Sequence, residues 1–200
     1  MDPAVNYFNN TSQLYIAEYE RLTPEGYSFR IRRKKVLALI PSVSRGLALD
    51  IGAGPGILIS GLEDLGYSVT ATDAAPNMVR TISKQHPQAT AITAPAERLP
   101  LPDKTYDVVT MLGLLEYLSH EDLALSEVWR VLRPGGLLVV TFPHAYSPWR
   151  LWNRLLVSTV GIFGRYFRII FDKPSAAIVH REYRPRVAEQ LLAKNGFEIL

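Results

Sequence analysis

Short apolar runs alternate with longer mixed stretches along most of this chain. Leu47-Ala48-Leu49-Asp50-Ile51, Ser68-Val69-Thr70-Ala71-Thr72-Asp73, Ala89-Thr90-Ala91-Ile92-Thr93-Ala94, Tyr106-Asp107-Val108-Val109-Thr110-Met111-Leu112 and Leu137-Leu138-Val139-Val140-Thr141-Phe142 have the length and the aliphatic or β-branched content of strands. Between them the pattern predicts helices over 55–65, 75–85 and 119–131. Gly66 is placed to end the first, and Ser119, with Asp122 three residues on, to cap the last. Two further helices are predicted upstream, over 11–22 and 28–40. Strands that alternate with helices make right-handed crossovers. The expected fold is therefore α/β, a doubly wound, mostly parallel sheet with helices on both faces.

In such sheets ligands bind beyond the carboxyl ends of the strands. Five places fall there: Asp50 with Gly52, Asp73, Ala96 with Glu97, Leu112 with Gly113, and Pro143 with His144. The first is the richest. Leu49-Asp50-Ile51-Gly52-Ala53-Gly54-Pro55-Gly56 runs from a buried strand into a glycine turn whose backbone can approach a ligand closely. A helix opening near Pro55 would aim its unpaired N–H groups at that ligand. Dinucleotide sites use G-x-G-x-x-G, but the third glycine of that pattern would fall on Ile57. The spacing here is G-x-G-x-G. Asp73 follows about 20 residues later, where an acid at the end of a second strand can take ribose hydroxyls. Capping the next helix is a second role open to it.

Composition sets limits. The chain has 200 residues, 48% of them hydrophobic and 20% charged, enough for one globular core. It has no cysteine, which excludes disulfides, thiolate metal sites and a cysteine nucleophile. No cluster with metal-ligand spacing stands out, so no metal is expected. Met1-Asp2-Pro3-Ala4-Val5-Asn6 is neither basic nor apolar, unlike a secretion signal, and a cytoplasmic location is expected. A net charge of +3 does not by itself point to nucleic acid. Arg30, Arg32, Arg33, Lys34 and Lys35 form a basic run in the second upstream helix. It reads foremost as a solvated face, and secondly as a docking surface for an anionic substrate.

Taken in order, six stretches make the sequence similar to the class I, Rossmann-like S-adenosylmethionine-dependent methyltransferases of small molecules, the group that includes the ubiquinone and menaquinone C-methyltransferases. They are Leu-Asp-Ile-Gly-Ala-Gly-Pro-Gly (49–56), Asp73 with Asn77-Met78, Ala-Glu-Arg-Leu-Pro-Leu-Pro-Asp (96–103), Tyr-Asp-Val-Val (106–109), Leu-Leu-Glu-Tyr-Leu (114–118) and Arg-Val-Leu-Arg-Pro-Gly-Gly (130–136). The resemblance implies S-adenosyl-L-methionine as cofactor and a set of roles. The backbone of Gly52, Ala53, Gly54 and Gly56 would cradle its methionine part, and Asp50 would orient the ammonium. Asp73, with Ala74 beside it, would hold the ribose. Met78 would pack near the adenine, Ala96 and Glu97 would border its edge, and Leu112 and Gly113 would line the other side.

The family often carries an acid that bonds the adenine amino group just before its Ala-Glu pair, whereas Pro95 stands here, with no N–H and no side-chain acceptor. The family sheet normally has seven strands. The resemblance therefore implies that Arg184 to Leu200 is a last helix and the opening of a sixth strand, with the chain either cut short or its sheet finished differently. The expected divisions are N-terminal helices over 1–45, a cofactor-binding core over 46–145, a lid or acceptor-pocket insertion over 146–183 and the closing segment 184–200.

Methyl transfer from a sulfonium needs a general base only when the acceptor carries a proton. His144 and Tyr117 are the foremost candidates, with Tyr146, Glu116 and His180 behind them. Residues 148–172 are rich in aromatics and carry Arg150, Arg154, Arg165 and Arg168. They suit a lid over an apolar or lipid-linked small-molecule acceptor, and also a peripheral membrane contact. Two rival functions remain open here: a degenerate binding module without turnover, and an NAD-dependent oxidoreductase. Ile57 weighs against the second.

Overall fold

The computed structural model describes residues 2–145 and 181–200. The aromatic segment 148–172, Tyr146 and His180 lie outside the described residues. Two helices come first, α1 (Pro3–Glu20) and α2 (Pro24–Ala38). Both begin earlier than the apolar periodicity predicts. Asp2 caps α1 and Thr23 caps α2, each followed by a proline at the first helical position.

The core then alternates β1 (Gly46–Ile51), α3 (Ile59–Asp64), β2 (Tyr67–Asp73), α4 (Pro76–Gln85), β3 (Thr90–Thr93), β4 (Tyr106–Met111), α5 (Glu121–Val131) and β5 (Leu132–Val140), with α6 (Pro185–Lys194) last. The five strands form one sheet in the order β3-β2-β1-β4-β5, and every described pairing is parallel. The strand order reverses between β1 and β4, which is where an open α/β sheet presents its crevice.

Side-chain alternation explains why β1 and β4 read as unbroken apolar runs. Leu49, Ile51, Val109 and Met111 face Ala124, Leu125, Val128 and Val131 of α5. Ala48 and Val108 face the other way, into a cluster with Leu58, Ile59, Leu62, Ile82, Val36 and Ile40. Both faces are thus covered, as parallel sheets require. On the second face α2 approaches α3 so closely that a side chain on Gly61 would collide with Leu37.

Four local expectations are corrected. The helix after the glycine turn starts at Ile59, not near Pro55. Gly52, Gly54 and Gly56 all have positive φ (66°, 55° and 88°), which no right-handed helix can contain. The helix α3 is six residues long, and its N-cap, Leu58, makes no side-chain cap bond. Ser119 does not cap α5; the cap position is His120, without a side-chain bond, and Glu121 and Asp122 in the first turn favour the helix N-terminus by charge. Strand β5 begins at Leu132, and the expected turn at 133–136 is an irregularity inside it. Tyr106 pairs with Leu132 but Val108 pairs with Leu137, so the intervening residues bulge out. Residues 197–200 form no strand. Phe197 instead meets the Trp129 ring edge to face at 5.4 Å, and its N–H donates to Leu192 O, which turns the chain back on α6.

Candidate active site

The carboxyl ends of β1, β2 and β4 and the loop after β3 surround a cavity of about 250 Å³. Asp50, Gly52, Ala53 and Gly54 line it from β1, Asp73 and Ala74 from β2, and Met78 from α4. Pro95, Ala96 and Glu97 line it from the loop after β3, and Leu112, Gly113 and Tyr117 from the segment after β4. Twelve of the expected site residues therefore meet at one place.

Two do not. Gly56 faces away, where a Cβ would stand 2.9 Å from Ile59 Cδ1 and 3.0 Å from His86 Cδ2. Its small size lets α4 pack against the turn. His144 is exposed and stands outside the lining, in a parallel bridge with Tyr183. That bridge is tied down: Tyr183 N–H donates to Pro143 O, Tyr183 Oη donates to Glu121 at 2.6 Å, and Arg181 pairs with the same carboxylate at 2.8 Å.

The glycines at 52 and 54 do different things. A Cβ on Gly52 would lie 2.8 Å from the Leu114 side chain, so the β1 turn and the β4 turn can touch only through a glycine. A Cβ on Gly54 would meet nothing within 4 Å, leaving its backbone open toward the cavity.

Two carboxylates dominate the electrostatics. Asp50 is buried on β1 and opposite Thr110 in the β1–β4 register. Thr110 Oγ1 donates to its Oδ1 at 2.6 Å. Burial pushes the Asp50 carboxyl up to about 7; the threonine bond opposes this and the negative charge of Asp73 adds to it. Asp73 is half-buried, and burial raises its pKa too. Gly54 N–H donates to its Oδ2 at 2.9 Å and Ala75 N–H to its Oδ1 at 2.8 Å. These two bonds stabilise the charged form and join the β1 turn to the β2 turn. They leave each oxygen a further lone pair for a ligand hydroxyl.

A polar clamp holds the loop after β3. Glu127 Oε2 accepts from Leu99 N–H at 2.7 Å. Arg130, beside it on α5, donates to Leu99 O, Leu101 O, Asp103 and Glu127. The loop that carries Ala96 and Glu97 is thereby tied to α5 at Leu99, Leu101 and Asp103.

One wall has no counterpart in the sequence reading. Asp2, Ala4, Val5 and Phe8 of the first helical turns also line the cavity. Phe8 meets Tyr117 edge to face, with ring centroids 5.1 Å apart. Asn9 locks α1 onto α4: its side-chain oxygen accepts from Asn77 N–H at 2.9 Å and its carbonyl from Asn77 Nδ2 at 2.7 Å. The Asp2-Pro3 pair is a sequence signal for the start of α1 at residue 3, though not for the surface that α1 covers.

No group of three or more acids and histidines is arranged to hold a metal among the described residues. No helix among them is long and apolar enough to cross a membrane.

Residues 49–140, the span that holds β1 to β5 and the sheet-borne wall of this cavity, match a family model described as a methyltransferase domain. This stretch is similar to the methyltransferase domain family. The demethylmenaquinone methyltransferase of Chlamydia trachomatis is 37% identical over 126 residues, which are 58% of this chain and 55% of that protein. The chain thus spans about half the length of this relative. Among solved structures, the magnesium protoporphyrin IX methyltransferase of Synechocystis with bound S-adenosylhomocysteine has a TM-score of 0.71 at 18% identity, over 98% of this chain and 89% of that one. The [4+2]-cyclase SpnF has a TM-score of 0.70 at 19% identity, over 98% and 72%. At such identities the methyltransferase and the cyclase establish a shared fold, and function has to be argued from the cavity.

Proposed function

We propose that this protein is an S-adenosylmethionine-dependent methyltransferase acting on a small apolar acceptor. The observation that carries the reading is the Asp73 carboxylate, gripped by Gly54 N–H and Ala75 N–H and presented into a cavity that Asp50, on the neighbouring strand, also lines.

The residues present fit that cofactor. Asp73 offers paired acceptor oxygens for two vicinal ribose hydroxyls. Asp50 offers a buried carboxylate for an ammonium, and that ion pair would offset the cost of ionising it. Gly54 leaves room for a close backbone approach. Met78 and Ala96 supply apolar surface for a base, with Glu97 at its edge. Pro95 also faces the cavity and gives the adenine amino group no side-chain acceptor. Recognition of adenine then rests on backbone groups near Ala96, on Glu97 and on apolar packing.

When bound, the cofactor supplies a methyl group on a positively charged sulfur; the acceptor's electron pair takes the carbon and the carbon–sulfur pair stays on sulfur. The protein's part is to hold both partners in line and keep water out. Val5, Phe8, Leu114 and Leu118 give the cavity apolar walls. Tyr117 lines the same cavity and His144 does not, which favours Tyr117 of the two foremost base candidates. The Chlamydia relative's name points to a quinone-precursor acceptor, and these walls suit such a ring.

Calorimetric titration with S-adenosylmethionine and S-adenosylhomocysteine tests the proposal. Binding of either to the wild-type chain is expected. Asp73→Ala should weaken it by about 2 kcal/mol, the scale of hydrogen bonds to a charged group. Absence of binding by the wild type would overturn the reading.

Pro95 favours one second reading, a cofactor-holding module without methyl transfer. Tight binding of S-adenosylmethionine with no methylation of any quinol, phenol or amine acceptor tried would favour it.

A further inference from the structure

The stretch from Arg21 to Leu49 is lopsided in charge. It carries seven basic residues and one acid, Glu25, although the whole chain has a net charge of only +3. The remainder of the chain is therefore net acidic. The same stretch turns large apolar side chains to water: Leu22 is 96% exposed, Leu39 67% and Tyr27 62%. A solvated basic face needs no such groups. Apolar side chains set among cations on one surface mark a place of contact.

Helix α2 divides its basic run between two faces. Arg33 turns inward, with Nε donating to Ile57 O at 2.6 Å and Nη2 to Ser60 Oγ at 3.2 Å. Val36 and Ile40 are buried in the core beneath it. Tyr27, Ile31, Lys34 and Ala38 recur at spacings of three and four and so share the opposite face. Ile31 is half-buried and the other three are exposed. Arg30 and Lys35, both exposed, flank that row. Leu22 stands on the turn before the helix and Leu39 at its C-cap. Cationic and apolar side chains therefore intermix on one outward surface.

The mixture selects the partner. Nucleic acid would reward the cations but set Leu22 and Leu39 against phosphates. An anionic bilayer takes both kinds of group. Its headgroups attract the lysines and the arginine, and the apolar side chains enter the boundary just beneath. Lys34 and Lys35 can lay their stems along that boundary and keep their ammonium groups among the headgroups. The face is mixed along its whole length, so the helix would rest on the surface and not sink into it. Its direction also brings the cavity to that surface. Arg33 meets Ile57, a lining residue, while Ile40 leads to the loop before β1. The first half of α2 thus stands at the cavity end of the sheet.

We propose that the outward face of α2, with Leu22 on the turn before it, is a docking surface for an anionic lipid bilayer. The docking does not depend on the methyltransferase reading. Its consequence does: an apolar acceptor dissolved in the bilayer is then drawn from the surface on which the protein sits.

The test is flotation of the full chain with vesicles of phosphatidylcholine alone and of phosphatidylcholine mixed with phosphatidylglycerol. Wild type should float with the anionic vesicles, and less so as salt shortens the reach of the charges. Lys34→Ala with Lys35→Ala should weaken this binding by about thirtyfold, the scale of two surface lysines. Leu22→Ser with Tyr27→Ser should weaken it at high salt as well, where charge contributes least. Lys84→Ala with Lys104→Ala removes the same charge from exposed positions elsewhere and should leave binding unchanged. Four outcomes overturn the proposal: no binding by the wild type, equal binding to both vesicles, equal losses in the two lysine pairs, or undiminished binding without Lys34 and Lys35, which would put the contact elsewhere on the chain. Tighter binding to an RNA or DNA oligonucleotide, lost with Lys34 and Lys35, would also overturn it and assign the face to nucleic acid. Far-UV circular dichroism reports whether each variant folds. Titration of the same samples with S-adenosylmethionine should be unaffected by the lysine changes, and a wild type that fails to bind that ligand fails the cofactor reading alone.

Discussion

Thr110 on β4 donates a 2.6 Å hydrogen bond to the buried carboxylate of Asp50 on β1. The two residues are direct partners in the parallel register. A single donor does not offset the burial of the acid, and its pKa stands near 7. This places a group that changes charge near neutrality at the floor of the cavity.

A pH dependence follows, with its sign set by the raised value. The folded pKa exceeds the ordinary aspartate value of 3.8. Asp50 therefore contributes stability that is fully present below about pH 4 and lost as pH rises through about 7. In the ligand-free protein, Asp50→Asn should remove this loss. Its advantage over wild type should grow by about 1.4 kcal/mol per pH unit between pH 4 and 7 and level off above. Urea denaturation at pH 4.5, 6 and 8 measures it, and parallel profiles for the two proteins would contradict the assignment. The same variant should bind S-adenosylmethionine more weakly, since stability and site charge are opposed here.

Arg130 is expected to act on the loop after β3 by fixing its backbone. Arg130→Ala removes donors to Leu99 O and Leu101 O and leaves Glu127 without its main partner. The expected destabilisation is about 2 kcal/mol, kept modest because the cluster is partly open to water. Arg130→Lys should recover little, because one ammonium cannot reach all four acceptors of the guanidinium fork. Hydrogen exchange should rise most in residues 95–103; a uniform rise across the sheet would mean global loosening.

The Asn9–Asn77 pair gives a third prediction. Asn9→Ala loses the bond to Asn77 N–H but keeps the one from Asn77 Nδ2 to the Asn9 carbonyl, so the helices should loosen without parting. Amide exchange in residues 3–10 should increase, and S-adenosylhomocysteine should leave faster. Pairing Asn9→Ala with Phe8→Ala should give more than the sum of the two effects, because both contacts hold the same helical turn. Unchanged dissociation in the double variant would show that ligands leave by another route.

What could be read from the sequence divides by how far apart the cooperating residues lie. The strand–turn unit from Leu49 to Gly54 and the acid at Asp73 are local patterns, and parallel topology brings them together without further information. Spacing alone could not tell Gly54 from Gly56. One opens onto the cavity and the other backs onto His86 and Ile82, and that depends on where α4 packs. Ser119 fitted a capping rule that the chain did not use; the helix began one residue later than that rule needs, with acids in its first turn. The roof of α1 was invisible because nothing in residues 2–9 says which distant surface they cover. Asn9 and Asn77 find each other across 68 positions.

The cavity is assembled from two parts of the chain with different obligations. The sheet-borne part, from Asp50 to Gly113, is constrained by buried strands on both sides, so substitutions there disturb the core. The part contributed by α1 is a partly exposed surface helix, whose described ties include the Asn9–Asn77 pair and the Phe8–Tyr117 contact. Lineages descended from such a protein could therefore refashion the roof, and with it the shape offered to an acceptor, while the cradle beneath stayed unchanged.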